Sequence, residues 1–192
     1  MPFKRVWSGN HSRGIPEVPM QRALQAHLLT VITLLLPSAA LALDHCKPLE
    51  HLAIPDVTID AITDADQPVA HCKVDGCIGR SIRFSVWLPT NWNGKFVMGG
   101  GGGFAGSLNN QAGGIDGSWA LRDYEAIVNY GHLAVHRATV TSKAIVDDFY
   151  ARAPGASYFF GCSNGGRQAL IDAQRYPDDF DAIVAGAPAL DF

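Results

Sequence analysis

Along residues 81–88 apolar and polar side chains alternate, with Ile82, Phe84, Val86 and Leu88 on one side and Pro89 closing the run. A period of two predicts a half-buried strand. Asn91-Trp92-Asn93-Gly94 reads as a turn, and residues 95–98 read as the next strand. Residues 129–150 carry Leu133, Val135, Val140, Ile145 and Phe149 on more than one side, which predicts one long helix buried against a sheet. A second apolar run at 157–160 predicts a strand, residues 167–176 a helix stopped at Pro177, and residues 182–185 another short buried strand. Strand, turn, helix, strand is the order of a parallel α/β core. The strands at 95–98, 157–160 and 182–185 should therefore lie side by side, joined by right-handed crossovers. Residues 46–74 offer only short apolar pieces between Pro55, Pro68 and scattered acids, and predict an irregular covering segment.

Upstream of this core, the apolar run 28–36 follows Arg22 and precedes Ala40-Leu41-Ala42. Charge, apolar stretch and small residues in that order predict a secretory signal peptide, and the run is too short to span a bilayer. Its natural start is Met20. Residues 1–42 are then an upstream extension plus signal, and residues 43–192 one catalytic-type domain without a membrane span. A formal net charge of −3 supplies no basic field for nucleic acid, so the expected partners are small molecules, with oligomeric state left open. Export gives meaning to Cys46, Cys72, Cys77 and Cys162, which allow three pairings that sequence does not choose between. A zinc site from Cys72, Cys77 and His71 or His45 fits export and the spacing less well.

The candidate chemistry sits where the run at 157–160 ends. Gly161-Cys162-Ser163-Asn164-Gly165 places a serine between glycines at a strand-to-helix turn, the G-x-S-x-G elbow that exposes a nucleophile. The N–H of Asn164, at the helix start, would face a bound carbonyl oxygen. Gly99 to Gly103 form a glycine run after a strand, and Gly102 or Gly103 is the candidate second donor to an oxyanion hole. Read mechanically, Gly101, Gly103 and Gly106 also match a dinucleotide fingerprint, but no acid-ended strand follows at the distance ribose binding needs. His132 and His136 lie four apart on one helix face, a metal-ligand spacing, without the glutamate that a zinc protease places between them. A serine triad runs serine, acid, histidine in α/β-hydrolases, yet all seven histidines precede Ser163. Asp172 and Asp178, Asp179 and Asp181 beyond it are expected to serve solubility or capping.

Residues 157–168, Ser-Tyr-Phe-Phe-Gly-Cys-Ser-Asn-Gly-Gly-Arg-Gln, with Tyr176-Pro177 and residues 182–188, resemble the tannase and feruloyl esterase family of α/β-hydrolases. Arg83 to Pro89, Asn91 to Phe96, Gly102 to Gly106 and Gly117 to Leu121 extend the resemblance from about Cys46 to the last residue. It implies an α/β protein with a partial α/β-hydrolase fold and a mostly parallel sheet. The lid domain and C-terminal part would be lacking, and an apolar strand would be deleted within residues 108–118. It implies a Cys46–Cys72 bridge, leaving Cys77 outside the pattern, and pairs Cys162 with a cysteine beside the catalytic histidine, beyond Phe192. Calcium is implied only in the lid, so no ligand for it is assigned, and no cofactor is expected in this chain. The expected function is an exported serine esterase acting on aromatic esters such as gallates or feruloyl esters, with Ser163 as nucleophile and no activity in this chain. The alternatives are a non-catalytic remnant of such an enzyme and a metal-dependent hydrolase using His132 and His136.

Overall fold

The structure, a computed structural model, describes residues 46–49, 51–105, 108 and 116–190. The expected signal peptide and most of the expected deletion site lie outside these. Three strands, β1 (Val57–Ala65), β2 (His71–Ile78) and β3 (Ile82–Pro89), form an antiparallel sheet in that order. Burial alternates along β3, with Ile82, Phe84, Val86 and Leu88 inward as their period predicts. The covering segment expected to be irregular, residues 46–74, holds β1 and the first half of β2. Its alternation was hidden because Cys72 and Gly76 take two of the inward places on β2, and a register shift between Ile59 and Ala61 breaks the period of β1. A disulfide joins Cys46 to Cys72, with Cα atoms 5.1 Å apart. It fastens the helical turn Lys47–Leu49, whose Leu49 is fully buried, onto β2.

A second sheet holds β4 (Lys95–Gly99), β5 (Ala156–Cys162) and β6 (Ala182–Gly186), parallel and in the order β4-β5-β6. This is the core expected from the three apolar runs. The strands form two three-stranded sheets, one antiparallel and one parallel: β3 and β4, linked by residues 90–94, do not pair with each other.

Between β4 and β5 the chain forms α1 (Tyr124–Val128), a π-helical turn (Asn129–Leu133) and α2 (Ala134–Tyr150). The helical stretch begins a turn earlier than the apolar pattern suggests because the Asp123 carboxylate caps it, accepting from the Ala126 N–H at 3.0 Å. It ends at Ala151 in the left-handed conformation, φ 49°. Helix α3 (Asn164–Arg175) joins β5 to β6. Phe96, Phe159, Phe180, Ile145, Val146 and Ala169 form the core with the inward residues of β2 and β3. The opposite face of the parallel sheet, with Val97, Phe160 and Val184, is exposed among the described residues. No described helix is long and apolar enough to cross a membrane.

Candidate active site

Ser163 stands between β5 and α3 with φ 59° and ψ −118°, a left-handed conformation that a non-glycine residue adopts only when its surroundings hold it there. Those surroundings are backbone. The Ser163 N–H donates to the Gly186 carbonyl at 3.0 Å, and its own carbonyl accepts from the N–H groups of Arg167 and Ala189 at 3.0 and 3.1 Å. Gly161 lies so close to Gly165 that a Cβ on it would stand 2.4 Å from the Gly165 carbonyl carbon and oxygen. The chain can turn this sharply only because both positions lack side chains. As a result Ser163 is exposed, while Asn164 and Gly165 behind it are buried.

The glycine run after β4 packs directly on this turn. A Cβ on Gly100 would meet the Gly165 Cα at 2.7 Å, and the Gly101 N–H donates to Gln168 Oε1 at 3.0 Å. The Gly101 amide is therefore engaged. Beyond it the Gly102 carbonyl accepts from the Ala105 N–H at 3.0 Å, and Gly103 turns with φ 54°. Asn164 keeps its side chain inward: Oδ1 accepts from Arg167 Nε at 2.9 Å and from the Tyr130 hydroxyl at 3.3 Å. Its backbone N–H belongs to the first turn of α3, where helices leave donors without an internal partner.

Arg167, which the sequence pattern marks only as part of a helix, is the anchor of that turn. Its guanidinium donates to the Tyr130 and Gly131 carbonyls at 2.9 and 3.2 Å and lies 4.4 Å from the centre of the Tyr130 ring. Both carbonyls belong to the π-helical turn. No signal in the sequence places a π turn at residues 129–133.

Of the four described carboxylates after Ser163, only Asp178 fits the expected solubility role. Asp172 is buried, with neither carboxylate oxygen partnered among the described residues; desolvation, reinforced by the neighbouring Asp179 charge, pushes its pKa up to about 7, against the pull of His136 and Lys143. Asp179 is also buried, its Oδ2 2.8 Å from His136 Nδ1. The Asp181 carboxylate accepts from the Ser157 N–H at 2.7 Å, tying the start of β5 to β6. Only Asp178 is exposed without such a contact. What misleads the sequence reading is the helix α2 above, whose His136 and Lys143 reach down to this acidic turn.

His132 and His136 do share a face, as their spacing implies, and that face meets Tyr176. The His136 ring stacks on it with centroids 4.0 Å apart, and His132 Nδ1 lies 3.0 Å from its hydroxyl. Both imidazoles are thus committed to α3 and its exit rather than to Ser163. Among the described residues no three His, Cys, Asp or Glu side chains gather where a metal ion could be held. Cys77 and Cys162 are free thiols, Cys162 exposed beside Ser163.

Comparison with known proteins gives this arrangement a lineage. Residues 110–192 match the family described as tannase and feruloyl esterase. The chain is related to the tannases and feruloyl esterases. Feruloyl esterase B of Aspergillus niger is 31% identical over a region covering 85% of this chain and 40% of its own length. A protein of Arthroderma benhamiae described as a probable feruloyl esterase is 35% identical over 71% of this chain and 30% of its own. The crystal structure of feruloyl esterase B from Aspergillus oryzae superposes with a TM-score of 0.68 at 26% identity, covering 76% of this chain and 38% of that one. The chain thus spans less than half the length of each of these tannase and feruloyl esterase relatives.

Proposed function

We propose that this chain carries the nucleophile half of an exported serine carboxylic-ester hydrolase site that takes aromatic esters of the gallate or feruloyl kind. The observation that carries this reading is Ser163: exposed, held at positive φ on a strand-to-helix turn, and followed by the free N–H groups of a helix start. In the proposed step Ser163 Oγ attacks the ester carbonyl carbon, and the N–H groups of Asn164 and of Gly102 or Gly103 receive the oxyanion. The bond to the alkoxy oxygen then breaks, leaving acyl-Ser163 and an alcohol, and water releases the acid. The relatives' names support the ester class. The Cys46–Cys72 disulfide supports export, since such bridges persist in oxidising compartments.

The attack requires a base for the Ser163 proton, and among the described residues none is placed for it. His132 and His136 are held by Tyr176 and Asp179. Loss of the triad histidine costs on the order of a millionfold in kcat, while oxyanion donors and binding retain roughly a thousandfold over water. Purified protein should therefore hydrolyse methyl gallate and methyl ferulate close to background, as should Ser163→Ala. Rapid turnover abolished by Ser163→Ala would show that a histidine upstream of the elbow serves as base and would overturn the account of an incomplete triad.

A further inference from the structure

The two sheets face each other across a gap whose walls are strand edges. A cavity of about 1090 Å³ is lined by every residue of β3 and every residue of β4 and by none of β1, β2, β5 or β6. Side chains alternate between the two faces of a strand, so a space that touches all consecutive residues lies beside the edge, where the main chain is. The floor is one stripe of α2: Ala134, Val135, Ala138, Ser142, Val146 and Tyr150. Neither Ser163 nor Asn164 lines the cavity, so it is distinct from the elbow.

The hydrogen-bond register shows which main-chain groups point into it. Thr90 N–H donates to the Ala70 carbonyl, one step beyond the paired residues His71 and Pro89. Antiparallel pairs alternate, so Leu88, Val86, Phe84 and Ile82 are spent on β2, and Trp87, Ser85 and Arg83 turn their N–H and C=O groups outward to the gap. On the other wall the Gly94 carbonyl accepts from the Gly155 N–H, and Gly100 N–H donates to the Phe160 carbonyl. Even-numbered residues of β4 thus serve β5, and Val97 and Gly99 present theirs to the gap. Lys95 does not contribute, because its N–H and C=O are engaged by Asn93 and Trp92. Two rows of main-chain donors and acceptors face one space, over a mostly apolar floor.

We propose that this slot binds one extended segment of another polypeptide, inserted as a seventh strand between β3 and β4 and joining the two sheets into one. The chemistry of both walls specifies an occupant with N–H and C=O groups on each side, which is a lone strand. An edge strand of a folded sheet has only one free side and cannot enter between two walls, so a second folded copy of this chain docking by an edge is disfavoured. The connection through residues 90–94 makes β3 and β4 run in opposite directions, so the segment is antiparallel to one and parallel to the other. The wall lengths, eight residues for β3 and five for β4, set its size. Its alternate residues face the small side chains of Ala134, Ala138 and Ser142 and should be branched and apolar. The proposal does not depend on Ser163.

The probe is a short synthetic peptide of alternating valine and threonine with a lysine at each end, added to the full chain. Binding is read by tryptophan fluorescence, since Trp87, Trp92 and Trp119 line the cavity, and by amide hydrogen exchange. Saturable binding should slow exchange at Arg83, Ser85, Trp87, Val97 and Gly99. Ser85→Pro and Val97→Pro each delete a gap-facing N–H while sparing the bonds to β2 and β5, and each should weaken binding at least tenfold. Should either variant fail to fold, the same peptide N-methylated at alternate residues makes the test on the unaltered protein and should not bind. Absence of saturable binding, equal binding of the N-methylated peptide, or protection at β1 and β6 instead would overturn the proposal. Protection of the slot amides by dimerisation alone would assign the slot to a second copy and overturn it as stated.

Discussion

At Gly161 the close approach of Gly165 leaves no room for a methyl group, and the atoms it would strike are backbone. Gly161→Ala should therefore destabilise the fold by about 1–3 kcal/mol or more, read by denaturant unfolding, because the turn itself must move. Asp172 makes a prediction of a different kind. Its carboxyl pKa is raised by burial to about 7, so the folded state keeps a proton that the unfolded chain releases near the ordinary value of 3.8. The contribution is complete below the unfolded value and is lost as pH rises from about 4 to about 7, then stays constant. Asp172→Asn, which cannot ionise, should gain stability relative to wild type across that window, by roughly a few kcal/mol at its upper end. Unfolding curves at pH 4 and pH 7.5 compare the two. An unchanged difference between wild type and variant would show that Asp172 is not the group held neutral.

At the scale of elements, the Cys46–Cys72 bridge closes a loop of sequence separation 26 and pins the N-terminal turn to β2. Chain-entropy reasoning gives such a loop about 3 kcal/mol, so Cys46→Ser should lower the unfolding midpoint accordingly, whereas alkylation of the exposed Cys162 should leave it unchanged. The elements that sequence made legible are those whose period matches their burial: β3 by alternation, β5 and β6 by short apolar runs, α3 by its stop at Pro177. The elbow was legible because glycine spacing there reflects backbone contact within a few residues. β2 was hidden by a glycine and a disulfide cysteine standing at inward places. The roles of Arg167, Asp172 and Asp179 were hidden for another reason: their partners, Tyr130, Gly131, His136 and Lys143, lie some thirty-five residues away on a different helix, and no local pattern announces them.

At the scale of the molecule, the described chain is sheet with helices on one face. Val97, Phe160 and Val184 stand on the uncovered face of the parallel sheet at 59%, 49% and 66% exposure, with Phe160 opposite Val184 and Val97 opposite Tyr158 in the ladder. Contiguous apolar surface of this kind promotes association. Light scattering of the purified chain should show concentration-dependent self-association, and Val97→Lys combined with Val184→Lys should reduce it without unfolding the protein. A monodisperse monomer at high concentration would contradict this. The most direct test of the central claim, that Ser163 sits in working geometry beside oxyanion donors with no base placed for it among the described residues, is chemical rescue. Hydrolysis of a nitrophenyl ester is followed with rising imidazole, wild type beside Ser163→Ala. Without imidazole the two should run together near background; with it, wild type should exceed the variant by about tenfold or more, imidazole taking the Ser163 proton. Equal rates at every imidazole concentration would contradict the account, because the elbow would then contribute nothing to the chemistry.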